Sequence, residues 1–114
     1  MSDTTDQLRE RLQQLLDLIG QEEVQVIIEV ATEEIPKKLT SIEQALESGE
    51  LEQVSRLAHG LKGDTGTLGM DTMAEIAKQL EGVQEPTFAH DAKDLLAQLN
   101  QSYERQLPVL KEFA

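Results

Sequence analysis

Residues 55–69 read Ser55-Arg56-Leu57-Ala58-His59-Gly60-Leu61-Lys62-Gly63-Asp64-Thr65-Gly66-Thr67-Leu68-Gly69. The apolar positions keep helical spacing, yet Gly60, Gly63 and Gly66 fall inside the segment. Each such glycine costs up to about 1 kcal/mol relative to alanine in a helix interior. Local stability therefore does not explain them. Projected at about 100° per residue, the residues Leu57, Ala58, Leu61, Thr65 and Leu68 all fall within about 60° of Val54, on the stripe that seeks a core. His59 falls at about 140°, outside that stripe, and Ser55, Lys62, Gly63 and Gly66 surround it. Arg56 lies just beyond. Helical side chains lean toward the N-terminus, so Lys62 reaches back toward the His59 ring, while Gly63 offers no side chain to cover it. The expected product is a solvent-facing imidazole with a cation beside it and open space above it.

Working outward, the same helical period extends through almost the whole chain. Leu8, Leu12, Leu15, Leu16 and Ile19 form a first short stripe that ends at Gly20. Val24, Ile27, Ile28, Ala31, Ile35, Leu39, Ile42 and Leu46 form a longer one, closed at Ser48-Gly49, where glycine suits the position past a helix end. Pro36 lies inside it and cannot donate to the carbonyl of Thr32, but the register continues through Leu39 and Ile42. One bent helix is expected there. Leu51 through Leu68 make the third stripe, closed by Gly69. Met73, Ile76, Ala77 and Leu80 make the fourth, ending near Gly82, with Thr72 and Glu75 spaced as a capping box. After a turn at Gln84-Glu85-Pro86, a fifth runs from Phe88 to Leu110, with Thr87 as N-cap and Asp91 and Asp94 at the positive end of the helix dipole. Pro108 is expected to bend or fray its last turn. β-Branched runs are short and aromatic residues scarce, so strands are poorly supported. Short loops favour antiparallel packing of successive helices. The fold class is thus all-α: an up-down antiparallel four-helix bundle with a short additional N-terminal helix. One domain over residues 1–114 is expected, its first few residues disordered.

Composition narrows the function. With 22 acidic and 10 basic residues the net charge is −12, which argues against nucleic acid and anionic lipid surfaces as partners. The imbalance is uneven: residues 37–62 hold four acids and four bases, whereas both flanks are strongly acidic. The chain has no cysteine, and His59 and His90 are far apart in sequence, so disulfides and a structural zinc site are not expected. No apolar run approaches the roughly 20 residues that span a bilayer, and no basic-then-apolar start suggests a secretory signal, so a cytoplasmic location is expected.

Imidazole nitrogen is a nucleophile near neutral pH, its unperturbed pKa being about 6.5. An adjacent ammonium suits a phosphoryl group, whose charge in transfer is spread over three oxygens. In-line transfer needs access, which the missing side chain at Gly63 supplies. There is no Walker-type loop or acidic metal cluster, so such a site would hold a phosphoryl group without generating it from ATP. The plainer alternative is a surface histidine beside a lysine, with glycines serving close helix packing.

The segment His59-Gly60-Leu61-Lys62-Gly63, followed by Leu68-Gly69, resembles the signature of histidine-phosphotransfer (HPt) domains, His-x-Leu-Lys-Gly with Leu-Gly five residues on. Ala58, the long second stripe with Pro36, the Gly49-Glu50 turn and the Leu80-Glu81 pair extend the resemblance over roughly residues 8–100. It implies a phosphorelay intermediate: His59 as phosphoacceptor, Lys62 as the stabilising cation, Gly63 as the access residue, and Leu68-Gly69 as a structural pair. It further implies receiver domains as partners, no cofactor on this chain, any divalent metal on the receiver, and a monomeric carrier without kinase activity. Ser55, Arg56 and Gly66 are the expected partner-binding residues around His59. Asp64 departs mildly from the pattern, and its negative charge one turn from the reacting group is read as tuning of phosphate retention. His90 lacks such surroundings and is expected to be an ordinary surface residue. A helical adaptor in which His59 is incidental is the rival function.

Overall fold

The computed structural model describes residues 4–83 and 89–114, the side chains of residues 4, 89 and 90 excepted. Five helices make up these residues: α1 (Thr4–Ile19), α2 (Gln21–Glu47), α3 (Leu51–Thr67), α4 (Asp71–Glu81) and α5 (Ala89–Glu112). No strand occurs among the described residues. Packing closes a ring: α2 lies on α3, α3 on α4, α4 on α5, and α5 back on α2. Helix α1 lies against α5, α2 and α4. The shortest helix is α4, at 11 residues, whereas α1 has 16, so the short element is not the N-terminal one.

The core is built from the stripes read in the sequence. Ile28, Ile35, Ile42, Ala58, Leu61, Met73, Leu80 and Leu99 are all buried. At two junctions the chain turns through a Schellman arrangement. The amide of Glu50 donates to the carbonyl oxygen of Ala45 and that of Gly49 to Leu46, with Gly49 at φ 72°. Likewise Met70 donates to Thr65 and Gly69 to Gly66, with Gly69 at φ 77°. Gly69 is doubly constrained, because a Cβ there would fall 2.9 Å from Cβ of Arg11 in α1.

Several local expectations are revised. Helix α2 runs unbroken through Pro36, as the apolar register required. Thr72 is not the cap of α4: the helix begins at Asp71, and Met70, which has no side-chain cap bond, occupies the N-cap position. The Gly69 turn sets that start by drawing the Met70 amide back to Thr65. Pro108 does not fray α5, which continues to Glu112. Val109 and Leu110 are buried just beyond the proline and hold the last turn in place. Arg9 of α1 adds a two-point contact there, its Nε and Nη2 donating to the two carboxylate oxygens of Glu112, each at 3.1 Å. The Gln84-Glu85-Pro86 turn, Thr87, Phe88 and the first three residues lie outside the described residues, as does the side chain of His90.

Candidate functional site

Helix α3 turns Val54, Ala58, Leu61 and Thr65 into the core, which leaves His59 on the outside with its side chain 67% exposed. Lys62 stands one turn later, its side chain 35% exposed. Between them, from α4, comes the carboxylate of Glu81. Its Oε1 lies 2.7 Å from His59 Nδ1, and its Oε2 accepts from Lys62 Nζ at 2.9 Å. Ser55 Oγ donates to the main-chain oxygen of Glu81 at 2.6 Å, fixing the end of α4 against α3.

This arrangement decides the chemistry of the ring. Hydrogen bonds from Lys62 first, and then from His59, hold the Glu81 carboxyl below the usual carboxylate range, overcoming the opposing effect of burial. An ionised carboxylate has no proton to give, so Nδ1 of His59 is the donor. In the neutral ring the lone pair is then on Nε2, on the opposite edge of a largely exposed imidazole.

The glycines separate into different roles. A Cβ at Gly63 would meet nothing within 4 Å, so close packing does not explain that glycine. At Gly66 it would lie 3.9 Å from Cβ of Ala74, and at Gly60 3.5 Å from Cε of Lys38, both ordinary contacts. Alanine would fit at all three on the ground of space. The open strip beside His59 is bounded on its other side by Lys38 of α2, which pairs with Asp64. The Asp64 carboxylate is thus turned to α2 and partnered by a cation.

Of the partner-facing residues expected from sequence, Arg56 is exposed and bonded to Glu52 at 3.0 Å, and Gly66 is exposed. Ser55 is only partly exposed and engaged with Glu81. Glu81 was not expected in the site, although the Leu80-Glu81 pair belongs to the family resemblance. The available signal was an acid at the C-terminal end of a helix, where the dipole favours a cation. Lys38 was missed for lack of any signal, since its approach to α3 depends on helix pairing. No group of three or more metal-ligating side chains forms among the described residues, and no described helix is long and apolar enough to cross a membrane.

Comparison with known proteins accords with this geometry. No curated protein matches the chain in sequence. The histidine-containing phosphotransfer domain of ArcB from Escherichia coli is similar in fold, with a TM-score of 0.74 at 19% identity, over 90% of this chain and 86% of that one. The family model for the Hpt domain matches residues 26–107, a segment that holds α3, α4 and every residue of the His59 cluster. The chain belongs to the Hpt domain family, whose members transfer phosphoryl groups in two-component relays.

Proposed function

We propose that His59 accepts a phosphoryl group on Nε2 from the phosphorylated aspartate of a receiver domain and returns or forwards it to another. The chain acts as a stoichiometric carrier, monomeric and cytoplasmic, and any divalent cation in the reaction sits in the acidic pocket of the receiver. The observation that supports this most directly is the Glu81 carboxylate on Nδ1. In its neutral form a ring so held carries its lone pair on Nε2 and needs no base to remove a proton before attack. Attack forms the N–P bond as the bond from phosphorus to the aspartyl oxygen breaks, the electron pair leaving with the carboxylate. The product ring keeps its Nδ1 proton and gains positive charge, which Glu81 offsets. A surface histidine that is merely incidental would have no need of this partner, which disfavours the adaptor reading.

The open face around His59 is the proposed docking surface for the receiver, with Arg56, Gly63 and Gly66 within it and Ser55 beneath its edge. A groove of about 300 Å³ continues it beyond the C-terminal half of α3, lined by Val26, Ile27, Val30 and Leu68, with Lys38 and Asp64 at its edge. Val26 and Val30 are each 54% exposed and supply apolar area of the kind a transient interface uses.

The test is phosphate transfer from a phosphorylated receiver domain to the purified chain. Acid-labile, hydroxide-stable phosphate should appear on the wild type and be absent from His59→Gln, which should retain wild-type helicity and melting temperature. Undiminished labelling of that variant would overturn the assignment.

A further inference from the structure

The resting site has its cation already engaged. Lys62 Nζ is bound to Glu81 Oε2, and the other oxygen of the same carboxylate holds Nδ1 of His59. A phosphoryl group on Nε2 would sit on the far edge of the five-membered ring. While Lys62 is seated on Glu81, its charge is already partnered by a carboxylate. We infer that Glu81 holds Lys62 in reserve and that phosphorylation of His59 moves the Lys62 ammonium from the Glu81 carboxylate to the phosphoryl oxygens.

This hand-over rests on the acceptor role proposed for His59, and three features favour it. The lysine head is a compact charge on a flexible four-carbon stem, with three donors that can be re-aimed. Its side chain is 35% exposed, so the head group has solvent beside it into which it can swing. A phosphoryl group presents nearly two negative charges and three acceptor oxygens, whereas the Glu81 charge is already shared with Nδ1. Each negative group keeps a cationic neighbour at both stages. Before transfer, one carboxylate faces one ammonium and a neutral ring. Afterwards the carboxylate faces the cationic ring, and the ammonium faces the phosphoryl group. The reverse step returns Lys62 to Glu81, so the cation that stabilises the loaded state has a partner waiting when the group departs. A carrier that must both accept and release benefits from that symmetry. Glu81 is a positioning residue in this scheme, since it touches the ring and the lysine but not the reacting phosphorus.

Two substitutions separate the two ends of the carboxylate. Glu81→Gln keeps an oxygen that can accept from Nδ1 but removes the charge that holds Lys62. Glu81→Leu removes both. Nitrogen-15 spectra of His59 in the full-length, unphosphorylated chain should show the Nδ1-protonated form dominant in wild type and Glu81→Gln. Glu81→Leu should show a mixture of the two tautomers. The Lys62 ammonium signals should be distinct from those of exposed lysines in wild type and merge with them in Glu81→Gln. On loading wild type with phosphoramidate, the Lys62 signals and the Glu81 carboxyl signal should both move. Loading of Glu81→Leu should slow by about tenfold. Lys62 signals that stay in place in protein shown to carry phosphate on His59 would overturn the hand-over alone. Absence of phosphate from His59 under every donor would overturn the relay reading as well. An unchanged tautomer ratio in Glu81→Leu would overturn the positioning role whatever the phosphorylation result.

Discussion

Ser55 Oγ lies 2.6 Å from the carbonyl oxygen of Glu81, so a side chain one turn before His59 holds the main chain of the residue that orients His59. The last residue of α4 has no following helical turn to fix its side chain. The hydroxyl from α3 supplies that restraint. Ser55→Ala should therefore cost more in transfer than its distance from the ring suggests. Loss of one such hydrogen bond costs about 0.5–1.5 kcal/mol of stability. The expected result is a modest drop in melting temperature, with phosphate loading slowed several-fold and a larger share of the minor His59 tautomer. Loading at the wild-type rate would show that Glu81 needs no help from Ser55.

Gly63 separates access from packing. A Cβ there meets nothing within 4 Å, so Gly63→Gln should fold as well as wild type, or slightly better, because glycine is the poorer helix former. The glutamine side chain leans back over the imidazole and obstructs the in-line approach of a receiver. Loading from a receiver should fall steeply, while loading from phosphoramidate, a much smaller donor, should fall less. Equal loss with both donors would assign the effect to the ring itself, and unfolding would make Gly63 a packing residue.

These cases show what a sequence can and cannot convey about such a site. The position of His59 on the outside of α3, and of Lys62 beside it, follows from helical period alone, because both are set by neighbours within one turn. The core stripes are legible for the same reason. Glu81 is 22 residues away from His59, and only the pairing of α3 with α4 brings them together. Lys38 is 26 residues from Asp64, and the pairing of α2 with α3 joins them. The cap expected at Thr72 and the fraying expected at Pro108 are overridden for a shared reason. A capping box and the loss of one helical hydrogen bond at a proline are local preferences of about a few kcal/mol at most. The Gly69 turn and the burial of Val109 and Leu110 outweighed them.

Asp64 offers a test of that tertiary pairing. By sequence spacing its charge stands one turn from the reacting group, but the carboxylate faces α2 and pairs with Lys38. Asp64→Asn should therefore leave the lifetime of the phosphohistidine close to wild type. It should release Lys38 from its place across Gly60 and lower stability slightly, since the pair is only partly buried. A lifetime extended by tenfold or more would mean that the Asp64 charge reaches the phosphoryl group in spite of Lys38.

Electrostatic steering gives a kinetic prediction. Arg56 and Lys62 stand in the locally neutral part of an otherwise acidic chain, but Lys62 is engaged with Glu81 and Arg56 with Glu52. The Arg56 pair is fully on the surface and weakly held. Arg56→Glu should slow association with a receiver domain more than it speeds dissociation, and the difference from wild type should shrink as salt rises. Val30→Asp, placed in the apolar groove, should instead speed dissociation, with little dependence on salt. If Val30→Asp leaves both rates unchanged, the docking surface does not extend over the groove.

Helix α1 lies outside the segment matched by the family model, yet Leu8 and Leu12 are completely buried. The helix is tied down at its far side by Arg9 and Glu112, and Arg11 packs its stem against Gly69 at the turn into α4. None of these residues belongs to the His59 cluster. Leu12→Ala should thus destabilise the fold by about 2–5 kcal/mol, as for other buried leucines, while folded molecules load phosphate at the wild-type rate. Acid should weaken the Arg9 tie specifically. The Glu112 carboxyl is held below its ordinary value of 4.5 by the hydrogen bond from Arg9, so its folded pKa is depressed relative to the unfolded chain. A depressed carboxylate contributes stability that is present above the unfolded value and is lost as pH falls through the folded one. Glu112→Gln should therefore lower the melting temperature at pH 7. The gap from wild type should close progressively below about pH 4.5, where the wild-type carboxyl also takes up its proton. A gap that stays constant down to pH 2 would mean that Glu112 acts through packing and not through its charge.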